Sequence, residues 1–519
     1  MTVEQTDGPP SGEPAGAARS VPCPVTCPED PAAVARSLAG AERPWFWFDG
    51  ETAAPGEPRV STLGVASELR IAEPGGEREF LAGLRAEHPE PGGDRGAGLH
   101  HGWVVALGYE FGVTLMGLDP LPDAVPAAFA LRVDGVLAVD HESGTAELRG
   151  DAAALAELLG ELPGAPGAAL AEPNAGSGAS PAPPRLDRVP YLGFHPYFGS
   201  DRPERSETTV RAEERDAAGP RPTWRSTETA YAEEVEACRS AIRDGDAYVL
   251  CLTDTAEVPG DFDPLGLFLR LRERGGAVRG GVVVAGDRAL VSASPERFLS
   301  VRDRRIRTHP IKGTRPRDVS PERDAELRAE LAADPKERAE NLMIVDLMRN
   351  DLSRVCGPGT VSVERFLDVE THPHVHQLVS TVAGMLRADA DVFDAVEACF
   401  PGGSMTGAPK RRAVEILAAL ERGPRGLYSG CFGWVDDGGD AELAMTIRSI
   451  ELRGIAARGV RAADGTRDAG APGTGTSATG TGSARVGAGG GITVDSDPER
   501  ELGEKELKAA PLLAALGYS

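Results

Sequence analysis

The stretch His309-Pro-Ile-Lys-Gly-Thr-Arg-Pro-Arg317 decides the reading of this 519-residue chain. It sets one lysine, Lys312, between a β-type run and a turn built for tight backbone approach. Gly313 lets the backbone pass close to a neighbour, Pro316 fixes the exit from the turn, and Arg315 and Arg317 add positive charge suited to an anionic ligand. An amine held there can act as a nucleophile. Taken alone, the segment reads equally well as a basic surface loop, so its meaning depends on what surrounds it.

Upstream, ALVSASPERFLSV (289–301) reads as a strand that turns at Pro295, with Glu296 just past the turn. Lys312 follows sixteen residues later, a spacing that suits neighbouring strands delivering a carboxyl group and an amine to the same end of a sheet. Such a pair can supply a general acid and a nucleophile. A surface salt bridge is the plainer alternative. Downstream, KERAENLMIVDLMRNDLSRV (336–355) has helical spacing, with Leu342, Val345, Met348 and Leu352 on one stripe and Glu340, Asp346, Arg349, Asn350 and Asp351 as polar groups. The helix is expected to be largely buried.

Near the C-terminus, GAGGGITVDSDPERELGEKELKAA (487–510) passes from a glycine run to a helix start at Asp497 and Pro498, after which Glu501 and Glu504 share a helical face. Two carboxylates three residues apart can reach one magnesium ion. Their alternative is pairing with Lys505 and Lys508 at four-residue spacing. FPGGSMTGAPKRRAVEILAAL (400–420) runs from a glycine-rich turn into an amphipathic helix whose free N–H groups, with Lys410, suit a carboxylate or phosphate, though a plain turn and helix fit as well. It is not a phosphate-binding loop of the Walker type, because Lys410 does not directly follow the second glycine of the Gly402–Gly407 frame. His372, His374 and His376 recur at period two, but no cysteine or carboxylate is spaced to complete a zinc set.

Composition narrows the class. With 55 basic against 80 acidic residues and a net charge of −25, nucleic acid and anionic membrane surfaces are not expected partners. Seven scattered cysteines and the absence of a long apolar run or signal-like start give the expectation of a reduced, cytoplasmic protein. Residues 1–40 read as a disordered tail, 41–225 as a strand-rich front region ending in a linker, and 226–519 as a mixed helix and strand region with a low-complexity insertion at 462–484.

From about Thr229 to the end, SPERF (294–298), PIKGTRPR (310–317), AENLMIVDLMRNDLSRV (339–355), FPGGSMTGAPK (400–410), AMTIRS (444–449) and GAGGGITVDSDPERELGEKELKA (487–509) together resemble the chorismate-utilising enzymes. GYEFG (108–112) and RVDGVLAVDH (132–141) resemble the front part of the same family. The resemblance implies an α+β, chorismate-binding enzyme fold: two packed β-sheets with helices outside, in one composite globule, with the site between the sheets. It implies Mg2+ held by Glu340 and Glu504 with Glu501 nearby, and a chorismate pocket formed by Gly313, Thr314, Gln377, Ser404, Tyr428, Arg448, Gly489 and Gly491. Lys312 and Glu296 would be the catalytic pair.

Within that family the 4-amino enzymes carry lysine where this chain has Lys312, whereas anthranilate synthases usually carry alanine. The implied reaction is therefore conversion of chorismate and ammonia to 4-amino-4-deoxychorismate through a lysine adduct, for 4-aminobenzoate and folate or for a specialised pathway. A neutral Lys312, its pKa lowered, is expected to be the attacking form. The sequence contains no G-x-C-x-G-H setting for a glutaminase nucleophile, so a separate glutamine amidotransferase subunit is the implied source of ammonia. Val249 occupies the place where relatives that use water carry a lysine, which disfavours hydrolytic isomerisation. The alternatives are an anthranilate or 2-amino-2-deoxyisochorismate synthase, and a non-catalytic chorismate-binding subunit.

Overall fold

The computed structural model describes residues 23–28, 30–40, 43–87, 98–150, 221–455 and 482–518. Its strands are joined by hydrogen bonds into one twenty-stranded network. The network doubles over into two layers. Strands Val249–Pro259, Ser483–Ile492, Ser449–Arg453, Arg288–Ser294, Arg279–Ala285 and Trp45–Asp49 follow one another across the first layer. The long strands Val60–Ile71 and Ala128–Asp140 carry the pairing round to the second. There Gly102–Leu107, Cys431–Asp436, Ala441–Met445, Arg297–Arg302, Arg305–His309 and Val375–Met385 succeed one another. The two expected sheets are thus the two layers of a single ribbon.

An apolar core of Phe46, Val104, Phe129, Leu131, Val283, Leu290, Phe432 and Ala444 fills the space where the layers face each other. Outside them, Glu228–Arg243, Pro335–Ser353, Lys410–Leu420 and Pro498–Ala515 present one face each to the sheets. Three of the four start as their sequence dictates: Thr227, Asp334 and Asp497 accept hydrogen bonds from the first-turn amides, and Pro335 and Pro498 supply a preset φ at the first helical positions.

Several expectations are corrected. The tail to residue 40 is drawn too long, because Cys23–Val25 pairs with Thr145–Gly150 and Pro31–Gly40 is a helix with Val34, Ala35 and Leu38 buried. The linker expected before residue 226 lies outside the described residues up to 220, as does the insertion from 462 to 481. The insertion's expected end at 484 overlaps the strand Ser483–Ile492. Within the strand-rich front region, GYEFG opens a helix, Tyr109–Leu115, where Tyr109 N–H donates to Gly426 O and the buried Glu110 carboxylate accepts from the amides of Arg425 and Gly426. Leu342 points away from the core at 52% exposure, and the buried face of its helix runs instead through Glu340, Asn341, Ile344, Val345, Met348, Asp351 and Leu352. Among the described residues no helix is long and apolar enough to cross a membrane.

One buried cation ties the front region to the back. Arg425, 2% exposed, donates to both Glu421 oxygens and to the carbonyls of Met405 and Cys251, and its guanidinium lies 4.0 Å from the Tyr109 ring centre. Removing one member of such a pair leaves a buried charge without compensation. Arg425→Met is expected to cost about 3–5 kcal/mol, read from urea unfolding followed by tryptophan fluorescence; a loss below about 1 kcal/mol would show that water reaches Glu421.

Candidate active site

The glycine strand Ser483–Ile492 pairs with Val249–Pro259 over ten residues, setting Gly491 opposite Cys251 and Gly489 opposite Thr253. Side chains are missing here because other groups need the space. A methyl group at Gly487 would lie 2.1 Å from the Tyr428 ring, and one at Gly490 would lie 3.0 Å from Glu501 Oε2. At Gly491 the same methyl would stand 3.5 Å from Glu340 Oε2 and 3.8 Å from Lys312 Nζ. The bare strand is therefore the floor over which the acidic helices and the lysine converge.

Lys312 arrives from the other layer, on strand Ile311–Pro316. Its pairing with Val375–Met385 shifts register between Lys312 and Thr314, a bulge centred on Gly313 at φ +77° that only glycine adopts freely. The bulge re-aims the side chains on either side of it. Glu296 follows the strand Arg288–Ser294, and Ser404 lies on the short turn Gly403–Met405. Arg448 sits in a left-handed turn at φ +53°.

These elements enclose a cavity of about 540 Å3. Every residue singled out in the sequence for the site lines it: Glu296, Lys312, Gly313, Thr314, Glu340, Gln377, Ser404, Tyr428, Arg448, Gly489, Gly491, Glu501 and Glu504. It also brings in Cys251, Lys336, Glu337 and Lys508, which were not read as site residues. Lys336 was detectable, since it stands four residues before Glu340 on one helix; Cys251 was not, because its position follows from strand register.

Other candidates lie elsewhere in structural pairs. Lys410 is held by Asp351 at 2.6 Å and by Cys399 O at 2.7 Å, so it serves the helix start rather than an anion. Arg317 is bound to Asp324, and Arg315 lines the cavity with its guanidinium committed to Asp334 at 2.8 Å. His376 contacts the same Asp324, whereas His372 faces Glu370.

The electrostatics follow from burial and from who faces whom. Burial raises the Glu296 carboxyl to about 7, opposed by the Ser404 hydrogen bond and by Lys312 and Arg279. Glu296 can thus hold a proton near neutrality. Burial also pushes Lys312 downward, but Glu340, followed by Cys251, Glu296 and Glu504, outweighs it and holds the ammonium above the ordinary lysine range. This reverses the lowered pKa expected from sequence, because three carboxylates surround the amine. Burial favours a neutral Glu504, yet Lys508 at 2.6 Å, with Lys336 and Lys312, draws it below the usual value. Glu501 is shifted the other way, by burial and then by Glu504. Of the two alternative lysine pairs, Glu504–Lys508 forms, and Lys505 turns instead to Asp254 at 3.1 Å.

The donor set suits a hard cation. Glu501 is 3% exposed, its Oε1 accepts from Ser496 at 2.7 Å, and its buried Oε2 has no hydrogen-bond partner. An unpartnered carboxylate oxygen beside Glu504, with Glu340 facing the same Lys336 as Glu501 does, is what a divalent ion would satisfy. As the side chains stand, no three acidic, histidine or cysteine groups among the described residues gather tightly enough to hold one; lysines occupy the intervening places.

A family model described as chorismate binding enzyme matches residues 51–460. The aminodeoxychorismate synthase of Streptomyces pristinaespiralis is 34% identical over 534 residues, covering 98% of this chain and 66% of that protein. That of Streptomyces griseus is 37% identical over 84% of this chain and 52% of its own length, and an anthranilate synthase component 1 of Halobacterium salinarum is 41% identical over 60% and 52%. The chain spans 52% to 66% of the length of these relatives. Among solved structures, anthranilate synthase component I from Streptococcus pneumoniae has a TM-score of 0.62 at 22% identity over 90% of both chains. The menaquinone-specific isochorismate synthase from Escherichia coli has 0.60 at 17% over 96% of both, a likeness of fold. On the family match and these relatives, the chain belongs to the chorismate-binding enzymes.

Proposed function

We propose that this chain aminates chorismate at C4, making 4-amino-4-deoxychorismate with ammonia from a glutamine amidotransferase subunit, and that Lys312 is the covalent nucleophile. The observation that carries the reading is a half-buried lysine amine lining the same cavity as a buried, protonatable Glu296. The two relatives named aminodeoxychorismate synthase support it.

In this reading Arg448 offers a guanidinium to one carboxylate of the substrate, and Tyr428 and Gln377 bound the ring. The Lys312 amine forms a bond to C2 while the bond from C4 to its hydroxyl breaks, and Glu296 gives that hydroxyl the proton with which it leaves as water. Ammonia then bonds to C4, the bond from Lys312 to C2 breaks with return of its electron pair to nitrogen, and Glu296 takes back a proton. Mg2+ held by Glu340, Glu501 and Glu504 would neutralise a substrate carboxylate and offset the charges that keep Lys312 protonated. The buried, apolar Val249, whose Cγ2 lies 3.6 Å from the Gly491 methyl position, offers no base for activating water there.

The product decides the matter. Purified chain with chorismate, Mg2+ and ammonium, followed by aminodeoxychorismate lyase, is expected to yield 4-aminobenzoate by chromatography and mass spectrometry; anthranilate before lyase addition would reassign the reaction. Lys312→Ala is expected to lower 4-amino product formation on the order of a thousandfold or more, since removing a covalent nucleophile removes a whole route. Glu296→Gln should cost about a hundred- to ten-thousandfold in kcat, the usual contribution of a general acid. Because the proton-bearing form of Glu296 is the working one and its pKa is raised to about 7, wild-type kcat/KM is expected to fall as pH climbs through that value. Glu296→Gln should lose that limb of the profile.

A further inference from the structure

Resting on the assignment of Glu340, Glu501 and Glu504 to a divalent cation, we infer that Lys336 competes with that cation for Glu340 and Glu501, so that metal entry is an exchange of one positive charge for another. Lys336 Nζ stands 3.8 Å from Glu340 Oε1 and 3.8 Å from Glu501 Oε1. It thereby bridges carboxylates from two different helices, Pro335–Ser353 and Pro498–Ala515. Both separations are ionic contacts too long for a hydrogen bond, and Glu501 Oε2 is left without a partner. The ammonium compensates charge without satisfying the oxygens.

Three features make this lysine the exchangeable one. Its side chain is 52% exposed, so it can swing into water. Its backbone need not follow, because the amides of Lys336 and Glu337 are fixed by the Asp334 side chain, which Arg315 holds in turn at 2.8 Å. Lysine also precedes glutamate in the four-residue pair with Glu340, the weaker of the two orientations on a helix. The two lysines of the facing helix, Lys508 and Lys505, are anchored. Lys508 is bound at 2.6 Å to Glu504 and at 2.7 Å to Gly489 O, while Lys505, 2% exposed, is turned to Asp254 and packed against Trp224 and Tyr231. Lys336 alone among these three touches two candidate metal ligands and keeps a path to solvent.

The consequence is that the acidic cluster never faces itself uncompensated, and that the cation must offer more than charge to enter. A divalent ion does so by bonding the oxygens that an ammonium at 3.8 Å leaves unmet.

The test is equilibrium binding of Mn2+ to the metal-stripped full chain, with free Mn2+ counted by electron paramagnetic resonance and no turnover involved. Lys336→Met is expected to bind Mn2+ about three- to tenfold more tightly than the wild type at low salt, the scale of a half-exposed ion pair removed. Lys336→Gln should match it, separating lost charge from lost packing, and Lys336→Arg should bind like the wild type. Affinity unchanged or weakened in both neutral variants would overturn the competition while leaving the metal assignment in place. No saturable binding by the wild type or any variant would overturn both.

Discussion

The site depends on one constraint: a run of glycines, Gly489 to Gly491, must lie where two acidic helices and a lysine from the opposite layer come together. The pairing of Ser483–Ile492 with Val249–Pro259 provides it. If Gly490 or Gly491 carried a larger side chain, it would press on Glu501 or fill the space between Glu340 and Lys312. The glycines make an ordinary sheet surface into a floor that charged groups can share, and the neighbouring layer supplies a lid of different chemistry.

What results is a balance of charge in a small, partly dry volume. Carboxylates at 296, 340, 501 and 504 face ammonium groups at 312, 336 and 508, with Arg448 at one side. Burial alone disfavours charge here; partners outweigh it at Lys312 and Glu504, whereas burial wins at Glu296 and, with Glu504 beside it, at Glu501. The contrast between Glu296 and Glu504 is set by partners. Glu504 has Lys508 in direct contact, whereas Glu296 is hydrogen-bonded to a neutral serine. One fold thus keeps an acid and an anion within a single cavity.

Much of this was legible in the residues. Helix starts at Thr227, Asp334 and Asp497 are local chemistry, and the motifs around Lys312, Glu340 and Glu504 line one cavity, although their order alone does not give their geometry. What escaped was non-local. Whether Lys410 or Arg317 serves a ligand depends on Asp351 and Asp324, which the chain brings from elsewhere. The direction of the Lys312 shift could not be read from burial without counting the carboxylates opposite. Leu342 fitted a periodic stripe and yet faces outward, because the buried side of that helix is centred on Asn341, Ile344, Val345, Met348 and Leu352, with Glu340 at the cavity and Asp351 bound to Lys410.

The ribbon has a consequence for how the molecule is made. Trp45–Asp49 covers the edge of Arg279–Ala285, and Gly102–Leu107 covers that of Cys431–Asp436, partners more than two hundred residues apart in each case. A chain in which the front strands have not yet docked presents two open edges rich in valine, phenylalanine and tryptophan, the kind of surface that recruits other chains. Sheet closure therefore waits on long loops, and one edge of each of these early-made strands must remain unpaired until its late partner emerges. The front region, which contributes no residue to the 540 Å3 cavity, has its role there: it is the seam that lets the catalytic strands exist as a closed surface.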